Sequence, residues 1–127
     1  MRRLIALSIV AVALVLAAAA LSANPKKGGS YAGTTMGHGL DKRLTLKVAK
    51  NGKTAIANLY CSGKHVSVMK GVKVSKGKFT GLKGKPSFPI WKLSGSFSST
   101  SSAKAVAKLT AICDGGRIPF TLTLASG

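Results

Sequence analysis

The sequence predicts an all-β domain, an antiparallel sandwich or barrel of about seven short strands, behind an N-terminal signal helix. Three observations predict it. Past the first two dozen residues, apolar side chains recur with a period of two, and no segment sustains a three-to-four-residue period behind a cap. Glycine, asparagine and serine break these runs at short intervals. Two separate hairpins also align most of their apolar residues on one face.

The first segment of the chain is of a different kind. Arg2 and Arg3 precede an apolar run over residues 4–21, broken only by Ser8, and Ser22, Ala23 and the helix-stopping Asn24-Pro25 follow. Charge, apolar run and small residues in that order describe a secretory signal peptide, here residues 1–23. Cleavage after Ala20, Ser22 or Ala23 fits the small-residue requirement, although Leu21 would stand at −3 to a cut after Ala23. The alternative is an uncleaved anchor, because a run of about 18 apolar residues is long enough to span a bilayer. Cysteine is absent from this region, which disfavours a lipoprotein anchor. Residues 24–30 then read as a flexible basic leader and residues 31–127 as one β-domain, too short to divide into two.

Within that domain "GGSYAGTTM" reads as a short strand rich in glycine and threonine. The best local signal is "RLTLKVAKNGKTAIANLYC" (43–61). Asn51-Gly52 is a strong two-residue turn, since both residues tolerate positive φ. A turn there pairs Val48 with Ala55, Leu46 with Ala57 and Leu44 with Leu59, and Cys61 continues the same face. Thr45, Lys47, Thr54, Asn58 and Tyr60 fall on the other face, with Ile56 as an apolar exception. "HVSVMKGVKV" places Val66, Val68, Val72 and Val74 on one parity, with a bend or bulge at Gly71. "KFTGLK" is a weak strand. "GKPSFPIW" carries two prolines and reads as a loop or sheet edge. "WKLSGSFS" turns Leu93 and Phe97 inward, and "SSTSS" is a polar turn. In "LTAICDGGRIPFTLTL", a tight turn at Gly115-Gly116 or Asp114-Gly115 pairs Leu109 with Leu122, or a residue two positions away. Either register directs Cys113 into the core.

The cysteines are two in number, Cys61 and Cys113, and an exported domain of this size favours their pairing. The link would close a loop of about 53 residues, worth roughly 4 kcal/mol in the chain-entropy view. A reactive thiol would need exposure and a tuned environment, and Asp114, Arg117 and His65 are the candidates to supply one. The inward direction of both side chains and the lack of a C-x-x-C favour the staple.

Catalytic chemistry is poorly provisioned. Asp41 and Asp114 are the whole acidic complement, and both fall in turn settings where aspartate serves local hydrogen bonding. A glycosidase pair would require those two to face each other across a cleft. His38, His65 and the cysteines lack zinc-ligand spacing. His38, Asp41 and a serine lack a G-x-S-x-G elbow. "KGGSYAG" and "KGKFTGLKGK" lack the strand–loop–helix setting of a phosphate loop. The reading is therefore no enzyme, no metal and no cofactor.

Charge is the other strong signal. Lys and Arg total 20 against 2 acids, a formal +18 that becomes +16 once Arg2 and Arg3 are removed. Lys64, Lys70, Lys73, Lys76, Lys78, Lys83, Lys85 and Lys92 fall in one acid-free stretch and form the candidate polyanion-binding surface. Phe79, Phe88 and Trp91 lie among them as candidates for stacking on bases or sugars, or as core residues. Lysine favours diffuse point-charge attraction over the planar recognition that arginine provides. The expected partner is an anionic polymer: wall polymer, acidic polysaccharide, lipid headgroups or nucleic acid, bound without sequence readout. The competing explanation is that the lysines solubilise the domain and guard sheet edges.

"GGSYAGTTMGHG", "LTLKVAKNGK", "GSFS" and "CDGGRIPFTL" together resemble small exported proteins of unknown function from high-GC Gram-positive bacteria. The resemblance covers most of residues 28–124 and consists of strand and turn signatures. It implies an all-β fold and a paired Cys61 and Cys113, and it brings no activity or ligand. The expected protein is a monomeric, secreted or envelope-associated, non-catalytic basic domain. The alternatives are an extracellular protein-binding module or inhibitor using "KGKFTGLKGKPSFPIW", and a secreted hydrolase.

Overall fold

In a computed structural model, residues 22–35 and 41–127 are described, and they form an eight-stranded closed antiparallel barrel. The expected signal helix and His38 lie outside the described residues. The strands are β1 (Ser30–Thr35), β2 (Lys42–Val48), β3 (Thr54–Cys61), β4 (Lys64–Ser75), β5 (Lys78–Lys85), β6 (Phe88–Ser99), β7 (Ser102–Leu109) and β8 (Gly116–Ser126). Each pairs with the next in sequence, and β8 pairs back on β1, so barrel and not sandwich closes the sheet.

The β2–β3 hairpin adopts the register that Asn51-Gly52 predicts, with Val48 opposite Ala55, Leu46 opposite Ala57 and Leu44 opposite Leu59. All six are buried, and Ile56 is exposed on the outer face as the alternation requires. In β4 the outcome differs. Gly71 is indeed a bulge, with φ of 74°, and it separates the pairs Ala55–Val72 and Ala57–Met69. The extra residue reverses the parity of the strand. Met69 is therefore buried with Val72 and Val74, while Val66 points outward and is exposed.

The β7–β8 connection also differs. Leu109 pairs with Gly116, Ala107 with Ile118 and Ala105 with Phe120, which leaves a six-residue loop, 110–115, in place of a tight turn. Cys113 and Asp114 both take positive φ within it, and the Gly115 N–H donates to the Ile112 carbonyl at 2.9 Å. The facing survives because the shift is even in number. The "GKPSFPIW" segment forms the β5–β6 hairpin, turning at Pro86-Ser87. Pro89 is tolerated because the β6–β7 ladder begins at Trp91, opposite Leu109, with one further bond from the Thr110 N–H to the Ile90 carbonyl. Pro89 itself therefore has a strand partner on the β5 side only.

The interior is filled by side chains. Tyr31, Phe97 and Phe79 stack edge to tilted face at centroid distances of 5.1 and 5.2 Å, with Leu44, Leu46, Leu59, Met69, Leu93 and Leu122 around them. Trp91, fully buried, donates its Nε1–H to Ser67 Oγ at 2.9 Å.

The two ends of the barrel are closed differently. At one, Cys61 and Cys113 form a disulfide with Cα atoms 6.0 Å apart, and Ile112 and Cys113 pack on the core. At the other, residues 22–29 run across the opening as a strap. Ala23 N–H donates to Phe97 O at 2.8 Å, Gly28 N–H to Ala49 O at 3.2 Å, and Val48 N–H to Gly29 O at 2.9 Å. Tyr31 Oη accepts from the Lys26 N–H at 2.9 Å and donates to the Thr100 carbonyl. The leader expected to be flexible is thus bonded to the β2–β3 turn, to β6 and, through Tyr31, to the β6–β7 turn.

Candidate polyanion-binding surface

Closing the strands into a barrel disperses the lysine-rich stretch. Lys64 lies at the disulfide end beside the β3–β4 turn, and Lys83 and Lys85 lie on the β5–β6 hairpin at that same end. Lys76 and Lys78 lie at the strap end, on the β4–β5 turn. Lys70 sits on the β4 bulge beside Gly71, and Lys73 and Lys92 project from the outer wall. The eight residues therefore do not form one patch. Two of the three aromatic candidates are core: Phe79 is 2% exposed and Trp91 0%, so neither can stack on a ligand. Phe88, at 76%, stands free at the hairpin.

What the fold does bring together is a row of cations on the outer wall. Lys92 on β6 is directly opposite Lys108 on β7, and Lys108 is directly opposite Arg117 on β8. All three side chains are exposed. Like charges directly opposite one another repel across about 5 Å of Cβ separation, so this row costs stability unless an anion lies over it. Beside the row is a recess of about 490 Å³ where β4 parts from β5. Thr80, Leu82, Ser94 and Val106 floor it, and Lys73, Lys92 and Lys108 flank it. The β4–β5 ladder holds only over Lys73–Ser75 and Lys78–Thr80, which is why the wall opens there. The recess thus combines hydroxyl donors with three ammonium groups.

Lys108 and Arg117 are not legible as neighbours in the sequence, for a definite reason. A tight turn at Gly115-Gly116 or Asp114-Gly115 sets Lys108 opposite Thr123 or Thr121, whereas the six-residue loop sets it opposite Arg117. The signal that would have found the row is the register of that one hairpin.

Asp41 immediately precedes β2 and Asp114 lies in the β7–β8 loop, both exposed at the disulfide end. His65 shares a hydrogen bond of 2.9 Å with Asn58 Oδ1 and lies 5.2 Å from the Tyr60 ring, over which Arg43 stands at 5.5 Å. These neighbours fix an outer-face row, Arg43–Tyr60–His65, across β2, β3 and β4. A smaller recess of about 290 Å³ between Thr34, Asp41, Arg43 and Tyr60 adjoins it. No cluster of three metal-ligating side chains occurs among the described residues. Compared with protein-family models, curated proteins and solved structures, the chain matches none, so its own geometry is the basis for a functional reading.

Proposed function

We propose that this is an exported, non-catalytic basic β-barrel that associates with anionic cell-envelope polymers through its outer wall. The observation that carries the reading is the directly paired row Lys92–Lys108–Arg117 beside the Lys73-flanked recess. Three adjacent cations held on a rigid sheet are preorganised for a chain of phosphate, sulfate or carboxylate groups, and they are relieved of mutual repulsion when one binds. The disulfide suits an oxidising compartment, and the "MRRLIALSIVAVALVLAAAA" opening supports export.

The test is binding of the oxidised barrel, residues 22–127, to soluble polyphosphate and acidic polysaccharides across a salt series. Those residues hold the whole barrel, its core and its disulfide. Affinity should fall linearly with salt on a log–log plot. Replacing Lys92, Lys108 and Arg117 by serine should reduce the slope by about 2, at roughly 0.7 for each phosphate no longer neutralised on a single-stranded polyanion. An absence of binding at low salt would discard the reading.

A second reading rests on Phe88 and Ile90, which are 76% and 38% exposed on a hairpin that outruns β7. Such an apolar tip suits an extracellular protein-binding module. Saturable, salt-tolerant capture of one protein partner, lost in Phe88→Ser, would favour it over the polymer.

A further inference from the structure

We infer that the strap end of the barrel is a docking face for an anionic lipid surface. The inference rests on the polyanion reading but concerns different residues. The strap carries Lys26 and Lys27 across this end, the β2–β3 turn adds Lys50 and Lys53, and the β4–β5 turn adds Lys76 and Lys78. All six are exposed. They are gathered by packing: the Lys27 side chain lies so close to Gly52 that a Cβ there would stand 3.2 Å from its Cγ, and Lys50 lies alongside Gly28. Gly127, just past β8, lies against the Lys26 side chain on this end. Asp41 and Asp114, the acidic side chains among the described residues, are both at the opposite end. The strap end therefore carries six exposed ammonium groups and no acidic side chain, whereas Lys64, Lys83 and Lys85 at the other end share it with Asp41 and Asp114.

Two features favour a lipid surface over a soluble chain as the occupant. The lysines radiate from three separate segments around an end face, whereas the wall row is linear and lies beside a recess. A broad layer of headgroups can meet all of them at once through point-charge attraction. The second feature is chain continuity. Ser22, at the edge of this end, packs against Gly77, where a Cβ would lie 2.6 Å from its own. It comes directly after the apolar run over residues 4–21. Any form of the chain that keeps this run in a bilayer is joined to it with no intervening linker at the lysine-bearing end. In a form without the run, the same face is left as an electrostatic docking surface.

The experiment is co-sedimentation of the oxidised residues 22–127 with vesicles of phosphatidylcholine alone or mixed with phosphatidylglycerol, in parallel with soluble polyphosphate binding. Two variants are compared, Lys26, Lys27, Lys50 and Lys53→Ser at the strap end and Lys92, Lys108 and Arg117→Ser on the wall. Circular dichroism of both first establishes that the barrel is retained. The expected result is binding to mixed vesicles only, weakened roughly fivefold per lysine in the strap-end variant. The wall variant should keep most vesicle binding and lose polyphosphate binding. Vesicle binding weakened equally by both variants would overturn the inference, because net charge and not this face would then be responsible. Polyphosphate binding without vesicle binding would also overturn it and leave the polymer reading intact. Failure of both ligands would remove both.

Discussion

Tyr31 joins the strap to the barrel through a single oxygen. Its hydroxyl accepts from Lys26 and donates to Thr100, while its ring is fully buried against Phe97. Tyr31→Phe leaves the packing and removes both bonds, orphaning a backbone carbonyl and a backbone N–H near the barrel end. Urea unfolding should show a loss of about 1–3 kcal/mol. Hydrogen exchange at Ala23 and Gly28 should rise more than at the β6–β7 core, since the strap is held separately. Equal loss of protection everywhere would mean that the strap is not an independent unit. The residue scale also explains why the cysteine staple is legible in the sequence. Cys61 continues the inward face of β3 and Cys113 reaches the core from the loop, so their pairing needed only facing, which an even register error leaves unchanged.

Elements are legible where a single local turn fixes the register. The β2–β3 hairpin has the register expected of Asn51-Gly52, and with it six buried side chains. The connection is nonetheless a wider loop over residues 50–53, in which Gly52 and not Asn51 takes positive φ. The turn at Gly115-Gly116 misleads because glycine pairs signal tight turns, whereas the loop that carries Cys113 needs six residues to reach Cys61. β4 misleads on the N-terminal side of Gly71 because a bulge alters the parity of everything on one side of it, and periodicity alone cannot say which side is shifted. That bulge is testable. Gly71 sits at φ 74° with open space around it, so a substitution there meets backbone strain and no clash. Gly71→Val should cost about 1–2 kcal/mol in urea unfolding, because a β-branched residue resists the left-handed region. Lys70→Ser, next to it, should stay within about 0.5 kcal/mol. Equal effects would mean that the bulge can relax to another register.

At the scale of the whole molecule, charge opposes the compact state. Lys108 lies between Lys92 and Arg117, so neutralising it removes two unfavourable neighbours at once. Lys108→Thr should raise thermal stability at low ionic strength, by about 0.2–1 kcal/mol per repulsive pair relieved. The gain should shrink in about 1 M salt, where the screening length falls to about 3 Å. A gain that persists in high salt would reflect strand propensity and not relieved repulsion. On the proposed function, the same substitution should also weaken polyphosphate binding.

By itself the sequence determined the all-β class, the inward face of most strands, the pairing of the two cysteines and the excess of positive charge. These follow from period-two alternation, turn chemistry and residue counts, all of which are local or additive. Only the tertiary structure decided that the sheet closes on itself in eight strands, and that residues 22–29 seal one end. It also decided that the cations group as Lys92–Lys108–Arg117 on the wall and as Lys26, Lys27, Lys50, Lys53, Lys76 and Lys78 at the strap end. The physical reason is that neighbours in a sheet are set by register between strands far apart in the chain. A run of lysines contiguous in sequence is carried up one strand and down the next, and its charges part company.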